Sequence, residues 1–254
     1  MKILKAILFD LDGTIVDTEK DGHRVAFNMA FKEYGLDVEW DQFKYYQLLQ
    51  IAGGKERMKS YFKNEGKEFI PKGISIDDMV RSLHISKTDL FVKLIESGKL
   101  KLRPGIKRIM MEAKKMNLLI GICTTSNEKA ASSIIKSLLS DVNIDLLLAG
   151  DVVKHKKPDP EIYYLAKEKV NLNSTEILVI EDSANGAIAS RAAGLKVLVT
   201  VNDYTKNEDM SMADAVITSL GDEREVTNII TGNLKLRDDR MVNLSDLIEF
   251  HILY

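Results

Sequence analysis

Ala6-Ile7-Leu8-Phe9-Asp10-Leu11-Asp12-Gly13-Thr14 is the stretch whose reading decides the fold. Four apolar residues in a row describe a short buried strand. The strand runs into two carboxylates separated by one residue, then a turn glycine. In open α/β sheets, ligands bind outside the carboxyl ends of the strands. Asp10 and Asp12 therefore stand where a substrate would sit. One carboxylate can attack a phosphorus and hold a metal, while the other moves a proton. The plain alternative is an Asx turn after a strand, since Asp-Gly is common in turns.

Downstream, Leu118 to Cys123 reads as a second strand, followed by a polar turn and a helix from Ala130 to Leu139. Ile144 to Leu148 reads as a strand, and Pro158 and Pro160 open a helix to about Val170. Ile177 to Ile180 is a strand, Ala184 to Ala193 a helix, Val197 to Val199 a strand, and Ala215 to Ile217 a short one. This alternation predicts an α/β fold, a Rossmann-like parallel sheet with helices on both faces. Between 17 and 98 the pattern is helical instead. Ala26, Met29, Ala30 and Phe31 recur at helical spacing, as do Phe91, Leu94 and Ile95. The expected organisation is a core of 1–16 and 99–254, with an inserted helical domain at 17–98. The tail beyond 222 reads equally as short helices or short strands.

The bulk numbers suit a soluble chain with a sizeable core. Of 254 residues, 45% are hydrophobic and 29% charged, and the formal net charge is −2. No basic face marks a nucleic-acid binder, and no apolar run is long enough to span a bilayer. Cys123 is the one cysteine, so no intrachain disulfide forms and a reducing compartment is expected. The segment Met1-Lys2-Ile3-Leu4-Lys5 does not read as a signal peptide. The expected location is the cytoplasm, or the plastid stroma if a transit peptide has been removed.

Three further strand-helix junctions complete a chemical set. Thr124-Thr125-Ser126-Asn127 places hydroxyls and backbone N–H groups before a helix, where an anion can bind; alone it reads better as an N-cap. Glu181-Asp182-Ser183 sets adjacent carboxylates at a strand end, a costly arrangement unless solvated, paired or bound to a hard cation. Helix capping by Ser183 or Asp182 is the competing reading. Lys156-Lys157-Pro158-Asp159-Pro160 can aim Lys157 into a cleft, although by itself it reads as a solvated basic turn. Together the four positions supply an attacking carboxylate, a metal clamp, a phosphate-binding hydroxyl and a neutralising lysine, which are the parts phosphoryl transfer needs.

This set, in this order, resembles the haloacid dehalogenase-like (HAD) superfamily. Asp10-Leu11-Asp12-Gly13-Thr14 matches its first motif, Thr124 the second, Lys157 the third and Glu181-Asp182 the fourth. The helical insertion resembles the small cap of the β-phosphoglucomutase-like branch. A narrower likeness is to the CbbY-type sugar bisphosphate phosphatases. It is carried by Asp17 to Arg24, Gly53 to Met58, Leu102-Arg103-Pro104-Gly105, Thr125 to Ala130, and Ala149-Gly150-Asp151-Val152-Val153. The resemblance implies Asp10 as the nucleophile that becomes an aspartyl phosphate. It implies Asp12 as the acid for the leaving oxygen and the base for water. Mg²⁺ would be bound by Asp10, the Asp12 carbonyl and Asp182, with Glu181 close by. Thr124 and Lys157 would hold phosphoryl oxygens, helped by N–H groups at Leu11, Asp12 and Thr125. The second aspartate argues against a dehalogenase, because carbon–halogen displacement delivers no proton to a leaving group.

The insertion is expected to choose the substrate. Gly53-Gly54-Lys55-Glu56-Arg57 offers a flexible backbone and two cations, suited to a second phosphate. It is not a Walker loop, because Leu49 and Glu56 occupy positions that loop reserves for Gly and Ser or Thr. By resemblance, Lys87 faces substrate and Glu19 tilts the reading toward hydrolysis. His23 and Arg24 could line the cleft, or His23 could be a hydrogen-bonded half-buried histidine and Arg24 a solvent-facing one. Thr125 and Ser126 are expected to touch substrate. The linkers at Ile15-Val16 and Gly98 to Arg103 are expected to hinge. The resulting expectation is a monomeric Mg²⁺-dependent phosphatase acting on a sugar phosphate, most sharply a ketopentose bisphosphate such as xylulose-1,5-bisphosphate. The alternatives are a β-phosphoglucomutase-like phosphomutase and a broad phosphatase for small metabolites.

Overall fold

The computed structural model describes residues 3–98, 100–238 and 240–253, with only the backbone of Lys20 and Asp21. Met1 and Lys2 of the expected start, Lys99 at the expected domain boundary, Asp239 and Tyr254 lie outside the described residues.

Seven strands form one sheet: β1 (Ala6–Phe9), β2 (Leu119–Cys123), β3 (Leu146–Leu148), β4 (Ile177–Glu181), β5 (Lys196–Thr200), β6 (Ala215–Ile217) and β7 (Ile229–Gly232). Their spatial order is β3-β2-β1-β4-β5-β6-β7. The first six pair in parallel; β7 joins β6 antiparallel. β1 lies near the centre, with Phe9 beside Ile122 on one side and Ile180 on the other. Successive side chains of a strand point to opposite faces. Ile7, Phe9, Ile120, Ile122, Leu178 and Ile180 accordingly join one core cluster. Ala6, Leu8, Val179, Val197 and Val199 join another. Burial on both faces explains the unbroken apolar runs in the sequence.

Helices α5 (Ile106–Lys115) and α9 (Leu244–Leu253) pack together on the first face. Helices α7 (Glu161–Val170) and α8 (Ala184–Ala192) cover the second. Between β1 and β2 lies the helical insertion: a single π-helical turn at Glu19–His23, then α1 (Arg24–Glu33), α2 (Gln42–Leu48), α3 (Gly54–Asn64) and α4 (Ile76–Glu96). Its core is aromatic, with Phe27, Phe31, Trp40, Tyr45, Phe62 and Phe91 buried. Ala26, Ala30 and Phe31 face inward as their spacing predicts, but Met29 is 38% exposed. The remaining helix, α6 (Glu128–Leu138), follows β2.

Most boundaries differ from the sequence reading by one or two residues. α6 starts at Glu128 because Asn127 caps it, accepting from Lys129 N–H at 2.9 Å. α7 starts after Pro160. β3 starts at Leu146. Helix α5 has no counterpart in the reading, although Ile106, Ile109, Met110 and Ala113 form its buried stripe. The tail beyond 222 contains both a strand and a helix. Among the described residues, no helix is long and apolar enough to cross a membrane.

Candidate active site

The carboxyl ends of β1, β2 and β4 converge. Asp10 follows β1 directly, and its N–H donates to the Ile180 carbonyl at 2.9 Å, fixing the carboxylate against β4. Lys157 Nζ donates to Asp10 Oδ1 and Glu181 Oε1, both at 2.6 Å, and to the Cys123 carbonyl at 2.9 Å. Tyr163 Oη donates to the same Glu181 oxygen at 2.5 Å. Burial opposes the charge on Lys157, but Asp10 and Glu181 outweigh it and hold the ammonium well above its usual range. Burial lifts Asp10 well above the usual carboxylate range; Lys157 pulls the other way, and Glu181 and Asp12 add to the lift. Asp182 is raised by burial, then by Asp10 and Glu181.

Oxygen atoms of Asp10, Glu181 and Asp182 lie within 4.8 Å of one another. Three buried carboxylates around one lysine are under-neutralised, a costly state that a hard divalent cation relieves. Gly13 sits against this cluster with φ +87°, and a Cβ there would lie 2.2 Å from Asp182 Oδ2. The donor set and the close approach of a side-chain-free backbone fit Mg²⁺. Ser183, one residue on, caps α8 by accepting from Gly186 N–H. The capping role and the cluster role are thus divided between neighbouring residues.

Asp12 has different surroundings. Its Oδ1 accepts from Thr18 Oγ1 at 2.5 Å and pairs with His23 Nε2 at 2.8 Å. Its Oδ2 accepts from Ser126 Oγ and, at 3.4 Å, from Thr124 Oγ1. Burial opposes ionisation, but the electrostatic pull of His23 and hydrogen bonds from His23, Ser126 and Thr18 outweigh it, holding the carboxyl below its usual range. His23 belongs to the π-helical turn, stacks on Phe91 with centroids 4.0 Å apart, and presents Nδ1 to Lys87 Nζ at 2.8 Å. Lys87 is wedged over the Phe27 and Phe91 rings. Burial pulls it down to about 8, against the opposing charges of Asp12 and Glu19.

A cleft between insertion and sheet is lined by Asp10, Asp12, Glu19, His23, Gly54, Lys55, Arg57, Lys87, Thr124, Thr125, Ser126, Lys157 and Asp182. Every residue singled out from sequence as a site candidate faces it except Leu11, which is fully buried and was named for its N–H alone, Glu181, which is fully buried behind Lys157, and Arg24, which donates to the Trp40 carbonyl. Also lining the cleft, Gly53 at φ +89° lets the chain turn into α3. Arg57 is buried and donates to the Leu48 carbonyl at 3.1 Å and to Tyr45 Oη at 3.0 Å. Tyr45 Oη in turn donates to Glu19 Oε2 at 2.5 Å. Lys55 donates to Asp151, and Lys156 reaches Asp151 at 3.3 Å and Glu56 at 3.5 Å. The Lys55–Asp151 and Lys156–Glu56 pairs cross from the insertion to the core.

Several participants were missed in the sequence. Thr18 lies one turn beyond the first motif. Tyr45 has the signature of a core aromatic. Asn202, whose Nδ2 donates to Asp182 Oδ2 at 2.7 Å, follows the carboxyl end of β5. The strand-end rule, applied to β5 as to the others, would have found it.

A parallel sheet with carboxylates at two strand ends, a threonine at a third and a helical insertion after the first strand defines a hydrolase class. The family model described as haloacid dehalogenase-like hydrolase matches residues 4–194, and the chain belongs to that family. It is 46% identical over 224 residues to a CBBY-like protein of Arabidopsis thaliana, covering 87% of this chain and 70% of that one. The crystal structure of CbbY from Rhodobacter sphaeroides in complex with phosphate matches with a TM-score of 0.79 at 35% identity, covering 85% of this chain and 95% of that one. A mutant of that protein in complex with xylulose-(1,5)bisphosphate matches with a TM-score of 0.79 at 34% identity, with the same coverage. The expected likeness to CbbY-type proteins is borne out.

Proposed function

We propose that this protein is a Mg²⁺-dependent phosphatase that hydrolyses a sugar phosphate, most sharply a ketopentose bisphosphate such as xylulose-1,5-bisphosphate. The carrying observation is one cleft lined both by Asp10 and Asp12, in contrasting surroundings, and by the cations Lys55, Arg57 and Lys156. That layout suits a small molecule with an anionic group at each end. The xylulose bisphosphate complex of the Rhodobacter protein supports the same reading.

Asp10 attacks phosphorus, forming an aspartyl phosphate as the bond to the sugar oxygen breaks. The leaving oxygen takes a proton from Asp12. That proton is supplied along Lys87, His23 Nδ1, His23 Nε2 and Asp12 Oδ1, whose two contacts are each 2.8 Å. With Lys87 donating to Nδ1, the imidazole carries its proton on Nε2 and donates to Asp12. In the second half, Asp12 takes a proton from water, the water oxygen bonds to phosphorus, and Asp10 is released. Lys157 and Thr124 hold phosphoryl oxygens, and Thr124 Oγ1 is fixed by accepting from Ser126 N–H at 3.0 Å. Asp10, Glu181 and Asp182, with the Asp12 carbonyl, would hold Mg²⁺. When bound, the cation offsets repulsion between an anionic nucleophile and an anionic substrate. Residues 17–98 act as the cap that chooses the substrate and excludes water.

The test is phosphate release from a panel of sugar mono- and bisphosphates, with and without Mg²⁺, with Asp10→Asn as control. Mg²⁺-dependent release concentrated on a ketose bisphosphate, and abolished in the variant, is expected. Wild-type turnover by Asp10→Asn would sink the mechanism. Even, weak release across the panel would remove the bisphosphate assignment.

A further inference from the structure

We infer that Asn202 and Tyr204 form a positioning link that aims Asp182 at the cation and ties that aim to the seating of the cap. The inference rests on the proposed Mg²⁺ site. Asn202 lies just past β5, on a loop that no sequence motif marked. Its Oδ1 accepts from Tyr204 N–H at 2.8 Å and Thr205 N–H at 3.2 Å. Two backbone donors on that atom fix the amide orientation. The opposite group, Nδ2, must therefore face the cluster, where it donates to Asp182 Oδ2 at 2.7 Å and reaches the Gly13 carbonyl at 3.4 Å. The turn is closed by Asn202 N–H donating to Thr205 Oγ1 at 3.0 Å.

Such a bond does two things for a metal-facing carboxylate. It selects one rotamer, and it occupies Oδ2 with a neutral donor, so the cation can take Oδ1, which otherwise accepts only a long 3.4 Å bond from Thr14 Oγ1 among the described residues.

The same loop touches the cap. The Tyr204 ring stacks on Tyr46, with centroids 6.2 Å apart at 20°, and meets Tyr45 edge-on at 6.3 Å. Tyr45 is the residue that joins Arg57 to Glu19, both of which line the cleft. A continuous path therefore runs from the distal cationic wall through Tyr45, Tyr204 and Asn202 to Asp182. Tyr204 and Asn202 are two positions apart on one closed turn, so the ring and the amide move together. Cap seating and cation affinity are then coupled, and by linkage each favours the other.

The experiment titrates Mg²⁺ alone into free enzyme by calorimetry, without substrate or turnover, for wild type, Asn202→Ala, Asn202→Asp and Tyr204→Leu. Thermal melting without Mg²⁺ checks that each variant is folded. Asn202→Ala should weaken Mg²⁺ about tenfold, the lower end for loss of an outer-shell partner. Asn202→Asp, which sets a further carboxylate beside Asp182, should bind Mg²⁺ more tightly than Asn202→Ala. Tyr204→Leu keeps every atom around the cluster and should still weaken Mg²⁺ severalfold. If wild type binds no Mg²⁺, the metal reading itself fails. If wild type binds and all folded variants bind equally well, the metal reading stands and the positioning link is overturned. Unchanged affinity in Tyr204→Leu alone would overturn the coupling to the cap.

Discussion

Asp10 and Asp12 are separated by one leucine, yet the fold treats them differently. Asp10 is desolvated among other carboxylates and steadied by Lys157. Asp12 is wrapped by hydroxyls and an imidazole that keep it ionised. Neighbouring carboxylates with divergent surroundings are how one site separates nucleophile from proton carrier. Lys87 sets a pH limit on that division. Burial pulls it down to about 8, so it is charged below that pH and neutral above. The proposed relay needs the charged form, so kcat should fall as pH rises through about 8. Lys87→Met has no proton to give and should lower kcat at every pH and lose that alkaline limb. A pH–rate profile of both proteins checks this; coincident alkaline limbs would exclude Lys87 from the relay.

At the scale of elements, the strands were the most readable features, because continuous apolar runs ending in polar residues have few other uses. The carboxyl-end rule then located Asp10, Thr124 and Asp182 before any geometry was known. What stayed hidden has physical reasons. β7 is an exposed edge strand, with no buried face to impose alternation on Ile229 to Gly232. The π-helical turn that aims His23 depends on one extra residue per turn, which no side-chain pattern encodes. Tyr45 is buried, so its polar role is masked by a core-like setting. Helix α3 raises a question about the distal wall, because Lys55 already holds Asp151. Both side chains are substantially exposed, so the pair adds little stability. Asp151 lines the same cleft and repels an anionic ligand. Asp151→Asn should therefore lower KM for a bisphosphate severalfold, while Lys55→Ala raises it. Steady-state kinetics decide; a rise in both would mean the pair acts as a latch.

For the whole molecule, the junction between core and cap is the critical region. Val16 bridges to Leu102, and Arg103 N–H donates to the Ile15 carbonyl at 2.9 Å, so the two linkers run side by side. The Arg103 guanidinium donates to carbonyls of Gly13, Thr200, Val201 and Thr218, binding linker, first motif and two strand ends together. Arg103→Ala leaves several of those carbonyls without a donor and should cost on the order of 3 kcal/mol. Urea unfolding measures it, and a loss under about 1 kcal/mol would show that water replaces the guanidinium freely.

The side-by-side linkers also bear on how such a chain can diversify. Because the chain leaves the core at Val16 and returns beside it at Leu102, the sheet meets the insertion as it would meet a tight turn. The closure cost of a loop grows only slowly with its length. Whatever is spliced between those two points can be lengthened, shortened or exchanged while β1 keeps its register with β2 and β4. New substrate preferences can therefore be grafted onto an unchanged reaction centre, and ancestry in the core need not predict diet in the cap.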